Sequence, residues 1–301
     1  MLVRYSNDKV LVGGGFTKIA NVTRLGVARL TVAPFRNITP FDFDGDGRAD
    51  LTVFRASSGF WYELLSQNNS FVPFKFGQDG DRIAPADYDG DGRIDVAVFR
   101  DVVFGAGNRA YFYITNSSDG SFRPEQFGAT GDVPVSGDWD GDGKADLAVY
   151  RDGSLFGGQG YFFYRPSSAP GVDFRAIAWG ANGDKPVVGD FDSDSKLDAA
   201  VFRPSAETWY ILQSSSNIHV FQGLGIATDI PAPADFDGDG KTNIAVFRPS
   251  NGTWYTSPNS QTITERFNLE RWVICRCRQI TTATDERTSR YFDRQTERGI
   301  C

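Results

Sequence analysis

The sequence predicts an all-β protein, specifically a β-propeller built from four-stranded antiparallel blades. A nine-residue aspartate motif recurs five times, at separations of 45, 51, 52 and 45 residues. This period suits one four-stranded propeller blade. Short apolar runs rich in aromatic and β-branched residues follow each motif, which is typical of strands. Residues 34–258 show no helical period of 3.6.

The aspartate motif reads DFDGDGRAD, DYDGDGRID, DWDGDGKAD, DFDSDSKLD and DFDGDGKTN in its five copies. We call the copies loops 1 to 5 and number their positions 1 to 9. Their first residues are Asp42, Asp87, Asp138, Asp190 and Asp235.

The remainder of each unit predicts the strands of a blade. The segments LTVFR, VAVFR, LAVYR, AAVFR and IAVFR follow the loops. An aromatic segment such as TWYIL comes next, then FKFG, EQFG, IAWG or VFQG, and then a short segment containing proline, as in GDVPVSGD. These runs give four short strands per unit. Proline lacks a backbone N–H, so we expect it at a sheet edge or a strand start.

The loops predict a cation site. Carboxylates at positions 1, 3, 5 and 9 of a tight loop converge, and position 7 offers a backbone carbonyl. Oxygen ligands in that number suit calcium better than magnesium, which prefers strict octahedral geometry. Glycines at positions 4 and 6 permit a tight turn with positive φ. The alternative is a solvated Asp/Gly turn without metal. The predicted ligands for up to five calcium ions are Asp42, Asp44, Asp46, Arg48, Asp50, Asp87, Asp89, Asp91, Arg93, Asp95, Asp138, Asp140, Asp142, Lys144, Asp146, Asp190, Asp192, Asp194, Lys196, Asp198, Asp235, Asp237, Asp239, Lys241 and Asn243.

The five loops are not equivalent. Ser193 and Ser195 replace both glycines of loop 4, and Asn243 replaces the last carboxylate of loop 5. We therefore expect weaker binding at these two loops. The loops hold 19 of the 38 acidic residues of a chain whose net charge is −7, so bound divalent ions would reverse its sign.

An EF-hand is the nearest rival calcium loop, and the sequence excludes it. An EF-hand needs a glutamate at position 12 and flanking helices. Position 12 is valine in every copy, within a predicted strand: Val53, Val98, Val149, Val201 and Val246.

These motifs resemble the bacterial FG-GAP/VCBS-type repeat, which is related to the calcium-binding blades of integrin α-subunit propellers. The resemblance covers residues 34–262 as a domain, with AVFRPS and G-x-WY as further shared motifs. It implies a secreted or cell-surface propeller that acts in adhesion or in protein or glycan recognition. Residues 1–33 resemble a delta-sixty-type repeat and are expected to be the remnant of a preceding β unit.

Net charge and hydropathy limit the classes of partner that we expect for the protein. The net charge of −7 argues against nucleic acid. No apolar run reaches the 18 or so residues of a membrane span, so no membrane insertion is expected. The N-terminal residues lack the continuous apolar segment of a signal peptide, so the extracellular location is implied by the resemblance alone.

Residues 263–301 are expected to be a frameshifted and disordered tail. They are Arg-rich and contain all three cysteines: Cys275, Cys277 and Cys301. With codons chosen to fit the repeat, back-translation of QITTATD (residues 279–285), read one base earlier, gives ADYDGDG. The same shift turns residues 288–301 into a possible NVAVFRPSNGTWYL. The shifted frame thus predicts a sixth blade, and the cysteines then carry no information about metal or redox chemistry.

Other candidate residues have structural interpretations. The pairs Trp61-Tyr62, Trp209-Tyr210 and Trp254-Tyr255 are expected in the core between blades. The recurring arginines are expected to pair with loop carboxylates or with a neighbouring blade; they are Arg55, Arg100, Arg151, Arg203 and Arg248.

No catalytic constellation is found, and the single histidine, His219, lies in a variable stretch. We therefore predict a binding module rather than an enzyme. Two alternatives remain open: a propeller-type hydrolase or lyase, and a truncated product without function.

Overall fold

The computed structural model describes residues 2–6, 9–13, 18–19, 22–23, 27–31, 39–104, 107–169, 171–257 and 267–268. Within these ranges the protein is all-β, and its single helix is a 3₁₀ turn at Gly153–Leu155. It forms a five-blade β-propeller of mostly four-stranded antiparallel sheets, which confirms the predicted fold class. No helix in the described part has the length and apolar character to cross a membrane. The predicted frameshifted tail lies outside the described residues, apart from positions 267–268.

The strands run in sequence order. The N-terminal segment contains β1 (Leu2–Ser6), β2 (Lys9–Gly13), β3 (Lys18–Ile19), β4 (Val22–Thr23) and β5 (Val27–Thr31). Blade 1 contains β6 (Leu51–Arg55), β7 (Phe60–Leu64) and β8 (Phe71–Lys75). Blade 2 contains β9 (Arg82–Ile83), β10 (Val96–Phe104), β11 (Gly107–Thr115) and β12 (Phe122–Gln126). Blade 3 contains β13 (Val133–Pro134), β14 (Leu147–Arg151), β15 (Gln159–Arg165) and β16 (Arg175–Ala181). Blade 4 contains β17 (Lys185–Gly189), β18 (Asp198–Arg203), β19 (Thr208–Leu212) and β20 (His219–Gly223). Blade 5 contains β21 (Ile230–Pro231), β22 (Ile244–Arg248), β23 (Thr253–Ser257) and β24 (Phe267–Asn268).

Within each of blades 2 to 5 consecutive strands are hydrogen-bonded neighbours. The prolines lie where a missing N–H costs least, because β13, β17 and β21 are edge strands. The aspartate loops join the first and second strands of blades 2 to 5. All five valines at position 12 lie in the strand that follows, which confirms that the loops are not EF-hands.

The core lies between neighbouring blades. Alternate residues of a strand point to opposite faces of its sheet, so each blade has a leading face toward the preceding blade and a trailing face toward the next. Between blades 2 and 3, Phe99 and Phe112 of the trailing face pack with Leu147 and Val149 of the leading face. The same arrangement recurs between blades 3 and 4 and between blades 4 and 5.

The aromatic pairs behave largely as predicted. The side chains of Trp61 and Trp209 are completely buried in the core between blades. Trp254 is only half-buried. His219 lies in β20, where its ring is 4.8 Å from that of Trp179.

Blades 2 and 3 have longer units because of their hairpins. In blade 2, β10 and β11 pair over nine residues each. In blade 3 the connection between β14 and β15 contains the 3₁₀ turn. Both extensions lie at the end of the blade away from the aspartate loop. The loops therefore keep their positions although the sequence spacing changes.

Candidate metal centre

The aspartate loops fold around the carboxylate at position 1. In loop 2, Asp87 accepts hydrogen bonds from the N–H groups of Gly90, Asp91 and Gly92, at 2.6, 3.2 and 2.8 Å. Equivalent bonds form in the other loops. The glycines make this wrap possible, since Gly90 has a φ of +81°. Aspartate suits position 1 because its short side chain places the carboxylate within reach of three successive backbone N–H groups.

The carboxylate at position 9 links the loop to the turn between the third and fourth strands of the same blade. Asp95 accepts from the N–H of Tyr88 at 2.8 Å and from the N–H of Ser117 at 2.6 Å. The Ser118 hydroxyl donates to Asp89 at 2.6 Å. Asp50, Asp146 and Asp198 accept from Ser66, Ser167 and Ser214 in the same way. The sequence analysis missed these serines, although serine recurs at the start of the turn between the third and fourth strands.

Three carboxylates meet in every loop. One oxygen of each lies within 4.8 Å of the others, at positions 1, 3 and 9 of loops 1 to 3 and at positions 1, 3 and 5 of loops 4 and 5. The clusters are Asp42, Asp44 and Asp50; Asp87, Asp89 and Asp95; Asp138, Asp140 and Asp146; Asp190, Asp192 and Asp194; and Asp235, Asp237 and Asp239.

The structure thus brings together three of the five predicted ligand positions in each loop. The position 7 residues Arg48, Arg93, Lys144, Lys196 and Lys241 donate their N–H to the carboxylate at position 5, at 2.8–2.9 Å. Their predicted carbonyl ligation stays a prediction.

The electrostatics of these clusters favour the binding of a positive charge. Burial, reinforced by the neighbouring charge of Asp140, raises the pKa of Asp146 to about 7. Burial also raises the pKa of Asp198 to about 6, and the charge of Asp192 adds to the effect. Burial raises the pKa of the position 1 carboxyls Asp42, Asp87, Asp138 and Asp190 as well. A cation or a proton at these loops would relieve the cost of desolvated negative charge.

The donor set fits a hard cation. All the convergent groups are oxygen ligands, which calcium and magnesium prefer. In loop 4, Oδ1 of Asp192 is buried and has no hydrogen-bond partner within the described part of the chain. A buried carboxylate oxygen without a donor is costly. A cation within the Asp190, Asp192 and Asp194 cluster would satisfy this oxygen.

The substitutions in loops 4 and 5 have visible structural effects. Ser193 and Ser195 adopt φ values of +63° and +67°, a conformation that costs a residue with a Cβ atom about 1–2 kcal/mol. The amide oxygen of Asn243 accepts from the N–H of Phe236 at 2.7 Å, as the carboxylate at position 9 does elsewhere. Asn243 thus keeps the loop geometry but removes a charge. The carboxylates of the loop 5 cluster are exposed.

Neighbouring loops are joined by backbone hydrogen bonds. The N–H at position 8 donates to the carbonyl oxygen at position 1 of the preceding loop, from Ile94 to Asp42 at 2.9 Å and from Ala145 to Asp87 at 2.7 Å. Leu197 and Thr242 donate in the same way to Asp138 and Asp190. The five loops therefore form one connected series along one side of the blades.

The recurring arginines correct the sequence analysis. Arg100, Arg151, Arg203 and Arg248 pair with Asp81, Asp132, Asp184 and Asp229, not with the metal-loop carboxylates. Each of these aspartates lies 19 residues before its arginine, in the turn that enters the blade. Arg55, at the same strand position in blade 1, donates to the Tyr62 hydroxyl at 3.1 Å. The signal for this pairing in the sequence is an aspartate that recurs 19 residues before the arginine in blades 2 to 5.

Comparison with known proteins agrees with this geometry. Residues 42–98, which comprise loop 1, the three strands of blade 1, β9, loop 2 and the start of β10, match the family described as FG-GAP-like repeat. This part of the chain thus matches one FG-GAP-like repeat. The VCBS and delta-sixty resemblances stay predictions.

A crystal structure of a protein of unknown function from Bacteroides caccae is similar to this chain, with a TM-score of 0.45 and 10% identity over 73% of this chain and 72% of that chain. The curated proteins contain no match.

Proposed function

We propose that the five aspartate loops of this protein bind calcium and that the calcium-loaded propeller is a recognition scaffold. The observation that carries the proposal is the meeting of three carboxylates in every one of five loops. An isolated acidic turn has no need for such convergence. Five copies in the same structural position indicate a common ligand.

The expected sites differ in strength. Loops 1 to 3 combine glycine at positions 4 and 6 with a carboxylate at position 9. Loop 4 contains the two strained serines, and loop 5 has lost a carboxylate. We therefore assign the weaker affinities to loops 4 and 5.

The recognition role is inferred from the family resemblance and from the loop geometry. Calcium would fix the loops at one end of the blades, where a protein or glycan ligand could contact them. We propose an extracellular or cell-surface location, where millimolar calcium would occupy sites with a Kd of roughly 10⁻⁴–10⁻³ M. Among the described residues, no structural observation favours the enzyme alternative.

Calorimetric titration of the full chain with calcium chloride tests the metal assignment. We expect up to five sites, and magnesium chloride serves as the ion control. At ten times Kd each site adds about 1.4 kcal/mol of stability, so Tm rises on addition of calcium and falls in EGTA. The Asp89→Asn variant is expected to lose one site. The matched control is Asp119→Asn, in an exposed turn of the same blade.

The absence of any calcium heat or Tm shift would overturn the metal assignment. Binding of calcium-loaded protein to a glycan array, compared with the same array in EGTA, tests the recognition role. Calcium-dependent retention supports glycan recognition, and equal signals with and without calcium contradict it.

A further inference from the structure

Glu63 is a buried carboxylate that belongs to none of the aspartate loops. It is 5% exposed and lies on the same face of β7 as the completely buried Trp61. Its Oε1 atom is buried and has no hydrogen-bond partner in the described part of the chain. A buried carboxylate oxygen without a donor or a positive charge is costly. The position therefore calls for a further partner.

Further oxygen atoms of blade 1 surround this position. Thr52 lies directly opposite Glu63 in the antiparallel register of β6 and β7. Side chains at such opposed positions have Cβ atoms about 4.5–5.5 Å apart. Oγ1 of Thr52 and Oγ of Ser66 are also buried, and neither has a partner among the described residues. Three unpartnered oxygens thus belong to this one blade.

Asp50 adds a second buried carboxylate to the group. It is 6% exposed and lies two residues before Thr52, so the two side chains share a face of the strand. Oδ1 of Asp50 accepts from the N–H of Ser66 at 2.7 Å. Burial, with the negative charge of Asp50, raises the pKa of Glu63 to about 7, which places the two carboxylates near each other. We call Asp50, Thr52, Glu63 and Ser66 the blade 1 oxygen cluster.

The polar pair of this cluster is replaced by apolar residues in blades 2 and 4. The positions of Thr52 and Glu63 hold an alanine and an isoleucine there, all at most 3% exposed: Ala97 with Ile114, and Ala200 with Ile211. An apolar pair therefore satisfies the fold at these positions. The two polar side chains of blade 1 are not required by the strand pairing.

Ser66 also differs from its equivalents in other blades. The corresponding serines of blades 2 to 4 donate their hydroxyls to the position 5 carboxylate of their loop at 3.0, 2.7 and 2.7 Å: Ser117 to Asp91, Ser167 to Asp142 and Ser214 to Asp194. Ser66 keeps the N–H bond to Asp50, but its hydroxyl has no partner in the described residues. This oxygen is therefore available to a ligand.

We propose that the blade 1 oxygen cluster binds one divalent cation of its own, calcium or magnesium, in addition to any ion of loop 1. Carboxylate and hydroxyl oxygens are the ligands that both cations prefer. The two carboxylates carry two negative charges, which one divalent ion neutralises and one proton does not. Asp50 also belongs to the loop 1 cluster, so the two ions would share one carboxylate. Glu63, Thr52 and Ser66 would serve the new site alone.

Equilibrium dialysis of the full chain counts the bound ions, with calcium chloride and magnesium chloride in separate experiments. The Glu63→Gln variant is expected to bind one ion fewer per chain than the parent, because it removes a charge at nearly constant volume. A loss seen with only one of the two salts identifies the ion. Glu207→Gln, at an exposed position of blade 4, is the matched control and should keep the count of the parent.

The Asp44→Asn variant separates the new site from loop 1. It removes a loop 1 ligand that lies outside the blade 1 oxygen cluster. Asp44→Asn and Glu63→Gln should each lose one ion, and the double variant should lose two. If the aspartate loops bind no calcium, Asp44→Asn changes nothing, whereas Glu63→Gln still loses one ion. Equal counts for Asp44→Asn and the double variant would overturn the proposal, because Glu63 would then act only through the loop 1 ion.

A variant with Thr52→Ala and Glu63→Ile guards against loss of binding through unfolding. It copies the pair found in blade 2, so we expect a cooperative melt in EGTA with a Tm at or above that of the parent. It should nevertheless bind one ion fewer, and its Tm should rise less on addition of the ion. A count equal to that of the parent in this folded variant would overturn the proposal. The unpartnered oxygens would then hold a proton or a water molecule only.

Discussion

Arg100 and Asp81 form a bidentate ion pair, with Nε–Oδ1 and Nη2–Oδ2 distances of 2.6 and 2.7 Å. The Asp81 side chain is completely buried, and Oδ2 also accepts from the N–H of Gln78 at 2.8 Å. The guanidinium lies 4.4 Å from the Tyr113 ring centroid. One arginine thus links the turn that enters blade 2 to the second and third strands of that blade.

Replacement of Arg100 by lysine is expected to lower the free energy of unfolding by about 1–3 kcal/mol. Lysine keeps the charge but cannot form two parallel hydrogen bonds or stack as a planar group. Urea denaturation of the full chain measures the loss. Arg55→Lys is the matched control, since Arg55 stacks on Tyr62 and donates to its hydroxyl, and a smaller loss is expected there. Equal losses at the two positions would show that the contact with Asp81 is not the source of stability.

Glu63 is a destabilising residue at neutral pH. It is 5% exposed, on the same buried face of β7 as Trp61, and its Oε1 has no partner among the described residues. Burial, with a smaller effect of the Asp50 charge, raises the pKa of Glu63 from 4.5 to about 7. The folded state therefore binds this proton more tightly than the unfolded state, so its charge reduces stability as the pH rises from about 4.5 through 7.

The Glu63→Gln variant is expected to be more stable than the parent by about 2 kcal/mol at pH 8 and nearly equal to it at pH 4.5. Thermal melts in EGTA at the two pH values measure this difference. A stability gain of the same size at both pH values would contradict the assignment to ionisation.

Calcium and protons should compete for the loops. The raised pKa values of Asp146 and Asp198 mean that, without calcium, these groups favour the folded state increasingly as the pH falls from about 7 toward 4. Protonated carboxyls no longer bind the cation. The difference in Tm between calcium and EGTA is therefore expected to shrink from pH 8 to pH 5. Paired melts across this range measure it, and a constant difference would exclude these carboxyls as ligands.

Ser195→Gly is expected to stabilise the calcium-free chain by about 1 kcal/mol, because glycine adopts a φ of +67° without the Cβ penalty. It should also tighten calcium binding at loop 4. Ser193→Gly is a useful comparison, since the Ser193 hydroxyl donates to the Gly240 carbonyl at 3.0 Å and its loss offsets part of the gain. Denaturant melts in EGTA rank the two variants, and destabilisation by Ser195→Gly would refute the strain argument.

The sequence predicts the blades and the convergence of the loop carboxylates because both depend on local periodicity. Alternating residues such as those of LAVYR specify the strands, and closely spaced aspartates must converge wherever glycine permits the turn. The aspartates that pair with the recurring arginines were harder to predict, because many carboxylates are available. For Arg100, the sequence alone does not favour Asp81 over Asp95. The polar pair of Thr52 and Glu63 occupies positions that are Ala97 and Ile114 in blade 2, and only the assembled interface shows the burial of Glu63. The exposure of Phe236, Phe247 and Trp254 in blade 5 likewise depends on packing between distant elements.

The extended hairpin of blade 2 shows that a blade accepts added residues between its second and third strands. The strands β10 and β11 add length beyond Arg100 without disturbing the pairing of Val96 with Thr115 near the aspartate loop. Foreign peptides grafted between the second and third strands would therefore be presented on the side of the molecule opposite the loops. Several blades would carry such grafts in parallel, at spacings set by the blade geometry rather than by the inserted sequences.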